Sequence, residues 1–245
     1  MSPVWLCHNA TAWYLVPRAL GNANALQKLD GEGTDNVPKR VDPGERREVI
    51  AEAVYQVIGE RGWDAVTLRD VAGTAGVSMG QVQHYFSTKT EMLMFALTHM
   101  RARVLARLAG QLAALPQPVT RLEQIRAAIR VMLPVDEPGR QEAAVNIAFF
   151  SAATVTPEYA RELHDGYTRQ VGFARAQFTA AEADGVLRDG IDPDREAEAL
   201  YFLIQGLIGP VLIGQLTPEA ALDVLDHQLA RIFRPPTPQH GSAAG

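Results

Sequence analysis

With 245 residues, 47% of them hydrophobic, and a formal net charge of −5, the chain is long enough for a small domain plus a larger one and too apolar for a disordered polymer. The negative balance excludes a protein that coats nucleic acid by bulk charge, and leaves open one that reads it by placement: residues 38–100 carry seven Lys/Arg against eight Asp/Glu. The single cysteine, Cys7, excludes an internal disulfide and a cysteine-rich zinc site, and a reducing, cytoplasmic compartment is expected.

Residues 1–40 are unlike the rest. The stretch GNANALQKLDGEGTDN is polar and glycine-rich, short apolar pieces precede it, and the segment reads as a poorly ordered extension. It lacks a basic start, and Arg18 falls where an export signal would need to stay apolar. Helix starts then become legible where a capping residue precedes proline, at Asp42-Pro43, Thr156-Pro157, Asp192-Pro193 and Thr217-Pro218. The first helix carries a stripe of Ile50, Ala53, Val54, Val57 and Ile58 and ends at Gly62. Lys39, Arg40, Arg46 and Arg47 cluster at its start, either to reach phosphates or as a solvated helix end. Trp63 is expected to form a lid between this helix and the next unit.

Thr67 to Lys89, TLRDVAGTAGVSMGQVQHYFSTK, reads as two short helices around a tight glycine turn. Leu68, Val71, Ala72 and Ala75 recur at helical spacing behind a cap at Thr67. Gly76 can enter the left-handed region, and Ser78 can cap a second helix from Met79 to Phe86. The smallness of Ala72 and Ala75 allows a close helix crossing that Val77, Val82 and Phe86 fill. Met79, Gly80, Gln81, Gln83 and His84 have no apolar burden and are left to face a groove.

The set Thr67, Val71, Ala72, Ala75-Gly76-Val77-Ser78, Tyr85-Phe86 and Lys89 resembles the signature of the TetR/AcrR family of bacterial transcriptional regulators. The resemblance implies a helix-turn-helix whose second helix enters the major groove of operator DNA. Gln81, with an acceptor and donors, suits adenine, Arg69 could reach a guanine, and Met79 a thymine methyl. Thr67, Ser78, Gln83, His84, Tyr85 and Lys89 fall where the family contacts backbone or phosphate, joined by Arg46 from the first helix. Tyr85 and His84 have structural alternatives, as packing or plain surface residues, and Arg69-Asp70 could be a local ion pair. Gln83 departs from the tyrosine frequent at its position in that family.

A long fourth helix is predicted from about Thr88 to Ala113, with Leu93, Ala96, Leu97, Met100, Val104 and Leu108 on one side. Further helices are expected near 119–133, 140–154, 157–184, 193–214 and 218–233. The whole is therefore all-α: an extension over 1–40, a three-helix DNA-binding domain at 41–87, a helical effector-binding and dimerisation domain at 88–234, and a flexible tail at 235–245. The uncharged run Ala199–Pro218 approaches bilayer length, but its i, i+3, i+4 pattern and three glycines mark a buried helix, so no membrane partner is expected.

Function follows the same division. A candidate pocket in the second domain uses Asn146, Phe149, Phe150, Tyr167, Gln170 and Gln205, an apolar lining with polar anchors that is also what an ordinary core looks like. One half-site seldom supplies enough specificity, so a homodimer is expected. The last two helices supply the interface candidates Leu203, Leu207, Val211, Leu222, Leu225 and Leu229, and this region resembles the BetI-like branch of the family. Metal-binding, phosphate-loop and nucleophile motifs are absent and the histidines are scattered, so neither an enzyme nor a cofactor is expected. The expected function is a ligand-responsive repressor that binds a palindromic operator as a dimer. The rival reading is a helical small-molecule-binding protein without operator recognition.

Overall fold

The computed structural model describes residues 43–235, which form nine α-helices joined by short turns. The amino-terminal extension, Lys39, Arg40 and nearly all of the tail lie outside the described residues. Helix α1 spans Pro43–Arg61, and Gly62, at φ +81°, turns the chain into a single 3-10 turn at Trp63–Ala65. Helix α2 (Leu68–Thr74) and α3 (Met79–Tyr85) follow, then the strut α4 (Lys89–Ala114), about 40 Å long at 1.5 Å per residue. The rest of the chain forms α5 (Arg121–Met132), α6 (Glu137–Ala153), α7 (Pro157–Ala183), α8 (Pro193–Leu212) and α9 (Pro218–Ile232).

Local chemistry sets these boundaries. Thr88 caps α4 by accepting from the Glu91 amide at 3.0 Å, and Thr120 and Glu123 form a reciprocal capping box on α5. Helix α6 starts three residues before the expected Arg140 because Asp136 Oδ1 accepts from the Gly139 amide at 2.7 Å, with Pro138 harmless in the first turn. After α9, Arg188 N–H donates to Ile232 O at 2.9 Å and Arg234 N–H to Val186 O at 2.8 Å, pinning the chain's last described residues to the α7–α8 turn.

Two large apolar clusters hold the molecule. The body core joins Ile125, Leu133, Phe178, Leu200, Ile204, Leu225, Leu229 and Phe233. The head core gathers Ile50, Val54, Val71, Val82 and Phe86 with Leu93 and Leu97 of α4, and it continues without a break into Val145, Phe149 and Tyr159 of the body. Trp63 lies on this seam, edge-on to Phe149 at 5.0 Å and to Tyr159 at 5.8 Å. Its turn packs on α1 and the head core, as expected of a lid there, and its ring also reaches α6 and α7, so it joins head to body. No helix among the described residues is long and apolar enough to cross a membrane.

Candidate DNA-reading face and effector cavity

The turn between α2 and α3 depends on Gly76, whose φ of +65° is strained for any residue with a Cβ. Val77 N–H then returns to Ala72 O at 3.0 Å, closing the end of α2. Thr67 Oγ1 accepts from the Asp70 amide at 3.1 Å and also bonds the Asp70 carboxylate, which in turn takes Arg61 at 2.9 Å. The Thr67 hydroxyl first and Arg61 second hold the Asp70 carboxyl below its usual range. Asp70 thus pairs with Arg61 across to α1 and not with its neighbour Arg69, which stays exposed.

Val82 on α3 and Phe86 just past its end are fully buried, while Met79 (47% exposed), Gly80, Gln81, Gln83 and His84 all lie on the outer surface. Tyr85 is half-buried, with its ring edge-on to His84 at 5.2 Å. Ser78 and Gln81 form a capping box, so Gln81 Oε1 accepts from the Ser78 amide at 2.9 Å. That oxygen keeps its second lone pair and the amide nitrogen both its donors, so the cap ties the side chain to the first turn without exhausting the groups that suit adenine. Lys89 is exposed at the first turn of α4. Arg46 and Arg47 are half-buried, and Arg47 stacks over Phe86 at 4.6 Å and Phe95 at 4.7 Å and pairs with Glu91 at 3.4 Å.

A cavity of about 70 Å³ opens among α4, α5, α6, α7 and α8. Asn146, Tyr167, Gln170 and Gln205 line it together with Arg101, Glu142 and Tyr201. Tyr167 and Tyr201 meet edge to face at 5.1 Å. Arg101 is committed to Glu162, bonding both its carboxylate and its backbone oxygen, the latter at 2.8 Å. Glu142, only 6% exposed, takes Arg107 at 2.6 Å on Oε2. Burial pushes its carboxyl up to about 7, even with Arg107 and Arg103 opposing the shift.

The outward face of the second half of α8 stays apolar without cover, and on α9 Val224 is exposed among Asp223, Asp226 and His227. Phe202 is 60% exposed, Ile213 is exposed, and Gly206 and Gly209 have nothing within 4 Å of where a Cβ would stand.

Comparison with known proteins agrees with this arrangement. Residues 50–94 match the family described as bacterial regulatory proteins, tetR family, and residues 121–234 match the BetI-type transcriptional repressor C-terminal domain. The HTH-type transcriptional regulator PksA of Bacillus subtilis (strain 168) is 33% identical over 171 residues, covering 70% of this chain and 80% of that protein. The chain belongs to the TetR family of transcriptional regulators. The regulator BetI of Brucella anthropi is 30% identical, over 74% of this chain and 88% of its own. A transcriptional regulator from Rhodococcus sp. Rha1 superposes with a TM-score of 0.66 at 30% identity, covering 76% of this chain and 95% of that one. Another, from Saccharomonospora viridis in complex with choline, gives 0.66 at 26% identity over 78% and 100%. TetR-family regulators bind operator DNA and act as dimers, and the chain is accordingly a DNA-binding regulator and not an enzyme.

Within this TetR-family chain, two expected pocket residues fall elsewhere. Phe149 is wholly buried in the head–body seam, and Phe150 is 68% exposed. At i+3 and i+4 the two rings flank the direction of Asn146 on opposite sides and stand about 100° from each other, so α7 and the Trp63 turn cover Phe149 while Phe150 is left to solvent. Three expected interface residues, Val211, Leu225 and Leu229, are buried in the protomer's own core, while Leu203, Leu207 and Leu222 are half-buried at its margin. Residue-by-residue reading missed Glu142 and the arginines beside it. The available signal was isolation: Glu142 is the only charged residue in QEAAVNIAFFSAATVT, residues 141–156.

Proposed function

We propose that the chain is a ligand-responsive repressor in which two copies, paired through α8 and α9, present α3 to successive major grooves of a palindromic operator. The observation that carries this reading is the split surface of α3: Val82 is buried, and every polar side chain of its outer face is exposed. The base-reading set is Met79, Gly80 and Gln81 with Arg69 from α2, and the phosphate set is Thr67, Ser78, Gln83, His84, Tyr85, Lys89 and Arg46. Thr67 contributes through its backbone amide and Ser78 through its hydroxyl hydrogen, since the Thr67 hydroxyl bonds Asp70 and the Ser78 amide bonds Gln81.

The functional division is a reading head at 41–87 and an effector and dimerisation body at 88–234, with α4 passing from one to the other. The interface is centred on Phe202, Gly206, Gly209, Ile213 and Val224, flanked by Leu203, Leu207 and Leu222. The absence of any neighbour beside the two glycines supports close helix approach by a second copy. The cavity lined by Asn146, Tyr167, Gln170 and Gln205 is the effector site, and the choline held by the Saccharomonospora viridis neighbour supports a small occupant in this fold. Binding there and binding of DNA are then reciprocally coupled.

Selection of duplexes from a randomised library, followed by anisotropy titration at two salt concentrations, tests the reading. A palindromic consensus bound two chains to one duplex supports it. Binding that ignores sequence favours the rival small-molecule-binding protein.

A further inference from the structure

We infer that the effector is a compact molecule with N–H or O–H donors, neutral or cationic, whose head binds Glu142 Oε1, the oxygen that accepts no hydrogen bond, and thereby competes with Arg103, the residue that ties this site to the DNA-reading head. The inference rests on the cavity being the effector site.

Two side chains of the cavity lining hold a buried oxygen that accepts no hydrogen bond. Glu142 Oε1 is buried without a hydrogen-bond partner, and Gln170 Oε1, on α7, is buried and unpartnered in the same way. Both are acceptors. The lining cation, Arg101, already bonds the carboxylate and backbone oxygen of Glu162. A carboxylate or phosphate would meet the Glu142 carboxyl and no unpaired cation, whereas a hydroxyl or amine complements both orphan oxygens. Tyr167 and Tyr201 present ring surface that tolerates a positive head. The volume of about 70 Å³ is far below the roughly 300 Å³ at which drug-sized pockets begin. A larger molecule must part α4 from α6 and α7.

The same carboxylate begins a chain of contacts out of the cavity. Arg103 Nε lies 3.9 Å from Glu142 Oε1, an ion-pair distance too long for a hydrogen bond. The other end of that guanidinium bonds the carboxylate of Glu52 on α1 and stands 5.6 Å over the Tyr55 ring. His99 Nε2 also lies 3.4 Å from Glu52. Since α1 packs on both α2 and α4, Arg103 links the effector cavity to the wall that supports the reading helices. A donor seated on Oε1 takes the place toward which Arg103 leans, and Arg103 acts as a positioning residue, without touching DNA.

Isothermal titration of the full chain, above about pH 7 so that Glu142 is ionised, with ethanolamine, choline, 1,4-diaminobutane and propionate tests the class. Saturable binding of at least one donor-bearing compound, and none of propionate, is expected. Glu142→Leu and, independently of the ion pairs, Gln170→Leu should each weaken that binding about tenfold. With a duplex selected as above, the bound compound should alter affinity for the wild type. In Arg103→Met the compound's Kd should stay within about twofold while its effect on duplex affinity disappears. Binding of propionate alone, or of no donor-bearing compound, overturns the class. Unchanged binding in both Leu variants, as when Oε1 is satisfied by water alone, overturns the role of Glu142. A retained response in Arg103→Met overturns the route. Failure of the cavity reading itself shows separately: Gln205→Trp, which fills the cavity, would then leave every binding signal intact.

Discussion

Ser78 and Gln81 hold each other across the first turn of α3, the Ser78 amide donating to Gln81 Oε1 at 2.9 Å and the Gln81 amide to Ser78 Oγ at 3.1 Å. The residue best placed to read a base is therefore also a structural cap. Two substitutions separate these roles. Gln81→Ala should lower stability by about 0.5 kcal/mol and reduce discrimination between operator and scrambled duplex. Gln81→Glu keeps an acceptor for Ser78, so its unfolding midpoint should match the wild type while operator binding is lost. Equal losses on matched and scrambled duplexes in Gln81→Ala would remove the base-reading role.

Lys89 stands exposed at the start of α4. Lys89→Ala should weaken binding to every duplex alike and make the slope of log K against log salt shallower by about 1. Titrations across a salt series give both numbers, and a sequence-dependent loss would contradict a phosphate contact.

Trp63 and Phe149 meet where head and body share a core. Phe149→Ala should cost about 3–5 kcal/mol, since the aromatic packing on both Trp63 and Tyr159 is lost with the buried area. Because the seam is continuous with the head core, urea unfolding of the variant should separate into two transitions where the wild type shows one. A single transition at the wild-type midpoint would mean that the seam contributes little.

Gly206 lies on the uncovered face of α8. Gly206→Glu should leave the protomer folded, with an unchanged circular dichroism spectrum, and shift the sedimentation coefficient to that of one chain. Leu225→Ala, in the protomer core, should instead destabilise the fold by about 2–5 kcal/mol. A dimer that survives Gly206→Glu would move the interface elsewhere.

Glu142 makes stability depend on pH. Its carboxyl is pushed up to about 7 from an ordinary 4.5, chiefly by burial, with Arg107 and Arg103 opposing and Asp136 and Glu52 reinforcing the shift. The folded chain holds this proton where the unfolded chain has released it. The group's contribution is therefore full below about 4.5 and is lost as pH rises through about 7. Wild type minus Glu142→Gln, compared by thermal unfolding between these limits, should decline with rising pH. An increase over that window would reverse the assignment.

Local order was legible in the chain because it depends on neighbours in sequence. Thr67, Ser78, Thr88 and Thr120 each precede a helix whose amides they accept from, and Gly76 stands where the backbone must turn left-handed. The polar run on α3 could be separated from Val82 and Phe86 by spacing alone. Glu142 was not legible as a cavity residue: it becomes so only when α4 brings Arg103 and Arg107 against α6 from more than thirty positions away.

What the amino-acid order determined by itself was an all-helical chain, the caps and turns that divide it, and a short helix with one face kept polar. What only the tertiary structure decided was the fate of each apolar face. Phe149 went to the seam and Phe150 to solvent, Val211 and Leu225 turned inward, and the two glycines of α8 were left bare. The reason is that periodicity records which side of a helix avoids water, while the element that covers that side is chosen by packing between segments far apart in the chain.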